Sequence, residues 1–161
     1  MGQFTEAVQK LYIAYFNRPA DVSGLKYWEK QIESGKISIE GAAQSFSEQI
    51  EYQRSYGAKS TTEVVRSLYQ NLFAREPDSS GLQYWVKQID SKAVSIGNAA
   101  LAITNGATPY SQDARVILNK LNFSSDFTNK LDTPTKAATY ESSTGFQTMN
   151  AIMSSISAYG E

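Results

Sequence analysis

The stretch FNRPADVSGLKYW, residues 16–28, recurs 57 residues later as FAREPDSSGLQYW, residues 73–85. The similarity extends outward, since residues 5–43 and 62–100 align without a gap and share 21 of 39 residues. A repeat of this length usually forms one supersecondary unit that buries its apolar face against its copy. The repeat therefore predicts two homologous units, and duplication in so short a chain favours a binding or assembly module over an enzyme.

The first helix of each copy is predicted from apolar residues that recur at helical spacing. Thr5 and Thr62 precede these residues and are expected to be the N-caps. Each helix should end within residues 16–18 or 73–75, because a proline follows and disfavours further helical turns. Asp21 and Asp78 are then placed to cap a second helix.

The second helix carries three apolar residues at positions i, i+3 and i+7, which lie on one face. Trp28 and Trp85 are the middle residues of these sets, and both are expected in the core. A third helix is predicted to begin at Ser38 or Ser95. Two adjacent alanines follow at the same place in each copy, which predicts a close helix–helix approach.

The rest of the chain also has the pattern of helices. The third helix of copy one is expected to continue to Tyr56, whereas copy two breaks at residues 105–109. Further helices are predicted from residue 111 or 112, in a separate short stretch containing Phe123, Phe127 and Leu131, near residues 135–141 and near 145–157. The prediction is one all-α domain, residues 1–161, forming a compact helical bundle of six to eight helices. It consists of two homologous three-helix repeats, residues 5–57 and 62–106, and a divergent C-terminal helical set, residues 107–161.

The composition excludes several kinds of site. The chain has no cysteine and no histidine, which rules out disulfides, thiolate or imidazole metal sites and His-activated nucleophiles. The net charge of −1 arises from 15 basic and 16 acidic residues without a basic run, so no nucleic-acid partner is expected. No apolar run reaches membrane-spanning length, and no secretory signal is visible. Neither Asp-x-Ser-Gly loop fits an EF-hand. We expect a non-enzymatic domain with no metal site and no cofactor.

Two arginines are candidate ligand-binding residues. Arg18 and Arg75 each lie three residues before an aspartate, Asp21 or Asp78. One interpretation is an internal Arg–Asp pair that holds the loop. The other is an arginine that faces a sugar or a phosphate. The identity of these residues in both copies favours the internal pair, because both copies need the loop but need not both bind a ligand.

Four residues of the second helices are candidates for sugar contacts. Tyr27 and Tyr84 point about 100° away from the tryptophan face. Gln31 and Gln88 follow four residues later, so an aromatic ring and an amide share one helix flank. Such groups can stack on a sugar and hydrogen-bond to it, although partial burial of the tyrosines against a neighbouring helix is the alternative.

The repeated pattern Leu-Tyr-x3-Phe-x-Arg-x2-Asp-x-Ser-Gly-Leu-x-Tyr-Trp resembles that of the DUF4214 family of bacterial surface proteins. The resemblance covers residues 5–57 and 62–131. It implies a module of an S-layer protein or of a large calcium-binding RTX-type adhesin exported by type I secretion. In the S-layer proteins that this chain resembles, an N-terminal helical domain anchors the lattice to lipopolysaccharide.

From this resemblance we expect a non-catalytic, extracellular anchoring domain at the outer face of the outer membrane. Its partner would be lipopolysaccharide or another surface polysaccharide, with possible self-association into a lattice. The chain lacks Gly-Gly-x-Gly-x-Asp repeats, so any calcium-binding part, and any export signal, would lie outside it. The alternative is a structural spacer or self-assembly module of an RTX-type adhesin. An enzyme acting on surface polysaccharide is the remaining hypothesis.

Overall fold

The computed structural model describes residues 4–159. Within that range the chain forms ten α-helices and no β-strand, so the all-α prediction is confirmed, with more helices than the predicted six to eight. The helices are α1 (Thr5–Phe16), α2 (Val22–Glu33), α3 (Ile39–Phe46), α4 (Ile50–Tyr56), α5 (Thr61–Phe73), α6 (Ser79–Asp90), α7 (Ile96–Asn105), α8 (Gln112–Lys130), α9 (Pro134–Tyr140) and α10 (Ser143–Ser155). Every helix in residues 4–159 is too short or too polar to cross a lipid bilayer.

Two segments differ from their predicted boundaries. The predicted third helix of copy one is split into α3 and α4, because residues 47–49 form a turn in which the Ser47 hydroxyl donates to the Gln44 carbonyl oxygen at 2.7 Å. The predicted break before Phe123 is absent, and α8 continues for 19 residues. No proline or glycine interrupts that segment, so nothing local ends the helix.

The predicted N-caps at Thr5 and Thr62 are wrong. α1 begins after Phe4 without a side-chain cap, and Thr5 instead donates a hydrogen bond from its hydroxyl to Glu29. α5 begins earlier than expected, with Ser60 as its N-cap. Ser60 and Glu63 form a reciprocal capping box that satisfies two backbone N–H groups.

The other predicted helix starts are confirmed. Asp21 accepts from the backbone N–H of Gly24 at 2.9 Å at the start of α2, and Ser38 and Ser95 cap α3 and α7. Asp78 occupies the N-cap position of α6, but its carboxylate makes no cap hydrogen bond to the helix backbone and instead accepts from the Ser80 hydroxyl at 2.7 Å.

The core is built around α1, which packs against α2, α5, α7 and α8. The two copies meet through corresponding helices, since α1 packs on α5 and α3 packs on α7. At the α3–α7 contact, all four predicted alanines are fully buried, so the close approach is confirmed; they are Ala42, Ala43, Ala99 and Ala100. A Cβ atom on Gly97 of α7 would lie 2.1 Å from the Ala43 carbonyl oxygen, so only glycine fits there.

Gly97→Ala is expected to lower the free energy of unfolding by about 3 kcal/mol, because the added methyl meets backbone rather than a movable side chain. This loss opposes the better helix propensity of alanine. The matched control is Gly81→Ala in α6, whose Cβ would meet the carboxylate end of the exposed Asp78 side chain, which can move aside. Denaturant unfolding of both variants is the measurement. Wild-type stability of Gly97→Ala would contradict the close α3–α7 contact.

One lysine of α8 is fully buried. The Lys120 ammonium donates to the Asn17 side-chain oxygen at 2.8 Å and to the Asn71 carbonyl oxygen at 2.6 Å. Within residues 4–159, no carboxylate forms an ion pair with it. Both acceptors lie at the C-terminal ends of helices, α1 and α5, where the helix dipole favours a cation. Burial nevertheless lowers the pKa of Lys120 to about 8.

We expect stability to rise as the pH increases from about 8 toward 10. In this range the unfolded chain keeps the Lys120 proton and the folded chain loses it, so raising the pH favours folding by up to about 3 kcal/mol. Above pH 10 the trend should reverse, because burial raises the pKa of Tyr56 and Tyr140 to about 12 in the folded state.

The measurement is the free energy of unfolding at several pH values for the wild type and Lys120→Met. The variant should lose the rise between pH 8 and 10 while keeping the fall above it. The same rise in both proteins would contradict the assignment to Lys120.

Candidate functional site

The candidate tyrosines and glutamines lie on the outer flanks of α2 and α6. Tyr27 and Tyr84 are each 55% exposed, so part of each ring is covered and part is open to solvent. Each ring meets the adjacent tryptophan edge-on, with centroids 5.0 Å apart in both copies. Gln31 and Gln88 lie half-buried one turn further along. The structure therefore brings together each Tyr–Gln pair, one on α2 and one on α6.

The flanks lie away from the best-formed surface clefts of the described residues. Of the six candidate residues, only Arg18 lines any of the five foremost clefts. A sugar bound at Tyr27 or Tyr84 would therefore lie on an open helix surface, where it buries little area.

Arg18 is buried, with only 2% of its surface exposed. Its Nε and Nη2 donate to the two carboxylate oxygens of Glu51 at 2.9 and 2.8 Å. Its Nη1 donates to Asp21 at 3.2 Å and to the Pro19 carbonyl oxygen at 3.0 Å. The predicted internal Arg–Asp pair is confirmed here, and Glu51 is a stronger second partner.

Aromatic rings enclose the Arg18 guanidinium. The ring centroids of Tyr12, Phe16, Tyr140 and Phe146 lie 4.9, 5.7, 5.9 and 3.8 Å from its central carbon. Burial acts to lower the pKa of Arg18, but the Glu51 carboxylate raises it above its ordinary value. Its charge is thus neutralised inside the protein, and the guanidinium is not accessible to a ligand.

Arg75 has a different partner from the one predicted. It pairs with Asp113 of α8 rather than Asp78, through Nε and Nη2 at 2.9 and 2.7 Å. Its side chain is 43% exposed, whereas that of Arg18 is 3% exposed. The Asp113 hydrogen bonds raise the pKa of Arg75 above its usual value. The predicted pair with Asp78 is wrong because α8 places a carboxylate closer to the guanidinium.

The most polar cleft lies between α1, α4, α5 and α10, with a volume of about 560 Å³. This volume is within the range of small-molecule sites. Its wall carries two ion pairs, Arg18–Glu51 and Arg66–Glu76, and one lysine, Lys59. Four aromatic residues and several amide and hydroxyl side chains complete it, the latter including Gln70, Gln147, Asn150 and Ser55.

Several polar groups in this cleft are available to a ligand. Ser55 and Gln147 are exposed and make no side-chain hydrogen bond within residues 4–159. Lys59 lies 5.4 Å from the Tyr56 ring and forms no ion pair within that range. The Tyr15 hydroxyl lies under the cleft, buried and without a hydrogen-bond partner in the described residues. The cleft can therefore bind a polar molecule that carries hydroxyls and a negative charge.

A family model described as a domain of unknown function, DUF4214, matches residues 4–55 and 43–107. The chain belongs to the DUF4214 family. No curated protein and no solved structure is significantly similar to the chain.

The cleft lies between the segment that matches DUF4214 and the C-terminal helix α10. The family segment supplies α1, α4 and α5, whereas α10 lies outside both matches. Gln147 and Asn150 of α10 therefore line the cleft from a helix that the family model does not match. No group of three or more acidic side chains suited to a metal ion is present in residues 4–159 of this DUF4214 chain.

Sequence reasoning missed the cleft in the DUF4214 chain. Lys59 lies in the connection between α4 and α5, and Gln147 lies in α10, far away in sequence. Neither position belongs to the repeated motif, so the comparison of the two copies carried no signal for them.

Proposed function

We propose that this chain is a non-catalytic, extracellular anchoring domain of a bacterial S-layer or S-layer-like protein. Its ligand would be the polysaccharide part of lipopolysaccharide on the outer membrane. The observation that carries the proposal is the polar cleft between α1, α4, α5 and α10, with its unpaired Lys59 and Gln147. The sequence resemblance to surface-layer proteins gives the same expectation.

The chemistry of the cleft suits a sugar. Gln147 and Ser55 supply donors and acceptors for sugar hydroxyls. Lys59 supplies a charge for a carboxylate or phosphate on an acidic sugar. A net charge of −1 argues against bulk attraction to an anionic membrane. We therefore expect binding to depend only modestly on salt.

The test is binding of the purified, fluorescently labelled chain to two matched bacterial preparations, each with and without calcium. One preparation carries full-length lipopolysaccharide, and the other lacks the outer polysaccharide. Binding to the full-length form alone is the expected result. Lys59→Ala and Gln147→Ala should each weaken it by about tenfold, since each removes a hydrogen bond to the ligand.

Lys36→Ala is the matched control. Lys36 is also an exposed lysine shortly before a helix N-cap, but it lies outside the cleft. Equal binding, or none, to the two preparations would overturn the anchoring proposal and favour the structural spacer. If both cleft variants bind as well as the wild type, the polysaccharide site lies elsewhere on the chain. Turnover of the purified polysaccharide would favour an enzyme.

A further inference from the structure

The two copies hold their arginines in the same local geometry. Arg18 binds Glu51 through Nε and Nη2 at 2.9 and 2.8 Å, and Arg75 binds Asp113 through the same atoms at 2.9 and 2.7 Å. In both copies Nη1 donates to the carbonyl oxygen of the next residue, at 3.0 and 2.9 Å. The two guanidinium groups therefore share their contacts with the carboxylate and the loop carbonyl, and within residues 4–159 only Arg18 also donates to the aspartate of its loop, Asp21.

The inner aromatic contacts are also equivalent. Arg18 lies 4.9 and 5.7 Å from the rings of Tyr12 and Phe16. Arg75 lies 5.3 and 5.5 Å from those of Tyr69 and Phe73, the corresponding residues of copy two. Each guanidinium thus lies against a Tyr–Phe pair from the helix that precedes it.

The outer cover differs between the copies. In copy one, α10 places the Phe146 ring 3.8 Å from the guanidinium carbon, within stacking distance. In copy two no third ring within residues 4–159 lies over Arg75. The surface around Arg75 is therefore an arginine site with its aromatic cover missing, and copy one shows that an aromatic side chain fits such a site.

We propose that a second copy of this chain covers Arg75, and that Tyr110 of each copy stacks on Arg75 of the other. Tyr110 is 90% exposed and lies three residues before Asp113, the carboxylate that binds Arg75. Tyr110 therefore belongs to the same surface patch as Asp113 and the Arg75 that it binds. A patch that carries both partners is self-complementary, which is what a two-fold dimer interface requires.

Two further features of the patch support an interface. Tyr159 is 81% exposed, and its hydroxyl accepts from Gln112 at 3.0 Å, which places a second exposed ring beside Asp113. Tyr110 has a backbone φ of 65°, a conformation that is uncommon for a bulky residue. Tyrosine and arginine are also the residue types most enriched at protein–protein interfaces.

The test is sedimentation velocity of the full chain from low micromolar to near-millimolar concentration. We expect the sedimentation coefficient of the wild type to rise with concentration toward that of a dimer. Arg75→Ala and Tyr110→Asn should abolish the rise; asparagine tolerates the backbone of residue 110, so the second variant removes the ring without added strain. Tyr27→Ser is the matched control, since Tyr27 is an exposed ring elsewhere on the surface.

Loss of association in both patch variants, with retention in Tyr27→Ser, would support the proposal. A wild type that stays monomeric over the whole range would overturn it. Association that persists in both patch variants, or that Tyr27→Ser also abolishes, would overturn it as well. None of these outcomes depends on polysaccharide binding, because the measurement contains no glycan.

Discussion

Arg18→Ala is expected to lower the free energy of unfolding by about 3–5 kcal/mol, because it empties the buried space between four aromatic rings and leaves Asp21 and Glu51 without their cation. The same substitution at Arg75 should cost about 1 kcal/mol or less, since the pair with Asp113 is exposed to water. The two arginines occupy the same position of the repeat, so the difference isolates the effect of burial.

Loss of Arg18 also releases the loop that follows α1. Its guanidinium joins this loop, through the Pro19 carbonyl oxygen and Asp21, to α4 through Glu51. The Phe146 ring stacked on it connects the loop to α10 as well. Removing the side chain should therefore loosen three elements that form one wall of the polar cleft.

Urea unfolding of Arg18→Ala, Arg75→Ala and the wild type provides the comparison. A double-mutant cycle of Arg18→Ala with Glu51→Ala should show a coupling energy of at least about 1 kcal/mol. Equal losses for the two arginine variants would mean that the buried ion pair contributes no more than an exposed one.

Trp28→Ala is the second substitution with a large expected effect, about 3–5 kcal/mol. Trp28 is only 5% exposed, and its ring centroid lies 4.9 Å from that of Phe46. Truncation would leave a cavity among rings that cannot collapse into it. Trp85 is only partly buried, and Ile103 stands at the position that corresponds to Phe46. We expect Trp85→Ala to cost about 1–2 kcal/mol.

Thermal and denaturant unfolding of the two tryptophan variants checks this difference. Circular dichroism should show that both variants keep their helices under native conditions. An equal loss of stability would mean that Trp85 is as well packed as Trp28. A near-neutral Trp28→Ala would place that ring outside the core.

The local chemistry of the chain was sufficient to predict most of the helix boundaries. α1 ends at Phe16 and α5 at Phe73, as the prolines predict, and the residues after them adopt left-handed backbone at Asn17 and Ala74. Asp21 caps α2 as predicted, and α3, α7 and α8 start where expected, behind Ser38, Ser95 and Ser111, because a helix start depends on residues within one turn. The cap predictions failed at α1 and α5. Thr5 donates to Glu29 from another helix, and the capping box of Ser60 and Glu63 starts α5 before Thr62.

The tertiary structure alone decided how the two copies differ. Arg18 and Arg75, and Trp28 and Trp85, are identical residues at identical repeat positions, yet their burial is unequal. The arginines differ because Phe146 of α10 stacks on the outer side of Arg18. Within residues 4–159 no corresponding third ring lies on Arg75. The cleft likewise combines the α4–α5 connection with α10, which are distant in sequence.

The sequence alone determined where the helices lie and which faces are apolar, since these depend on neighbours along the chain. Which identical residues are buried, and where the cleft lies, depends on contacts between distant segments.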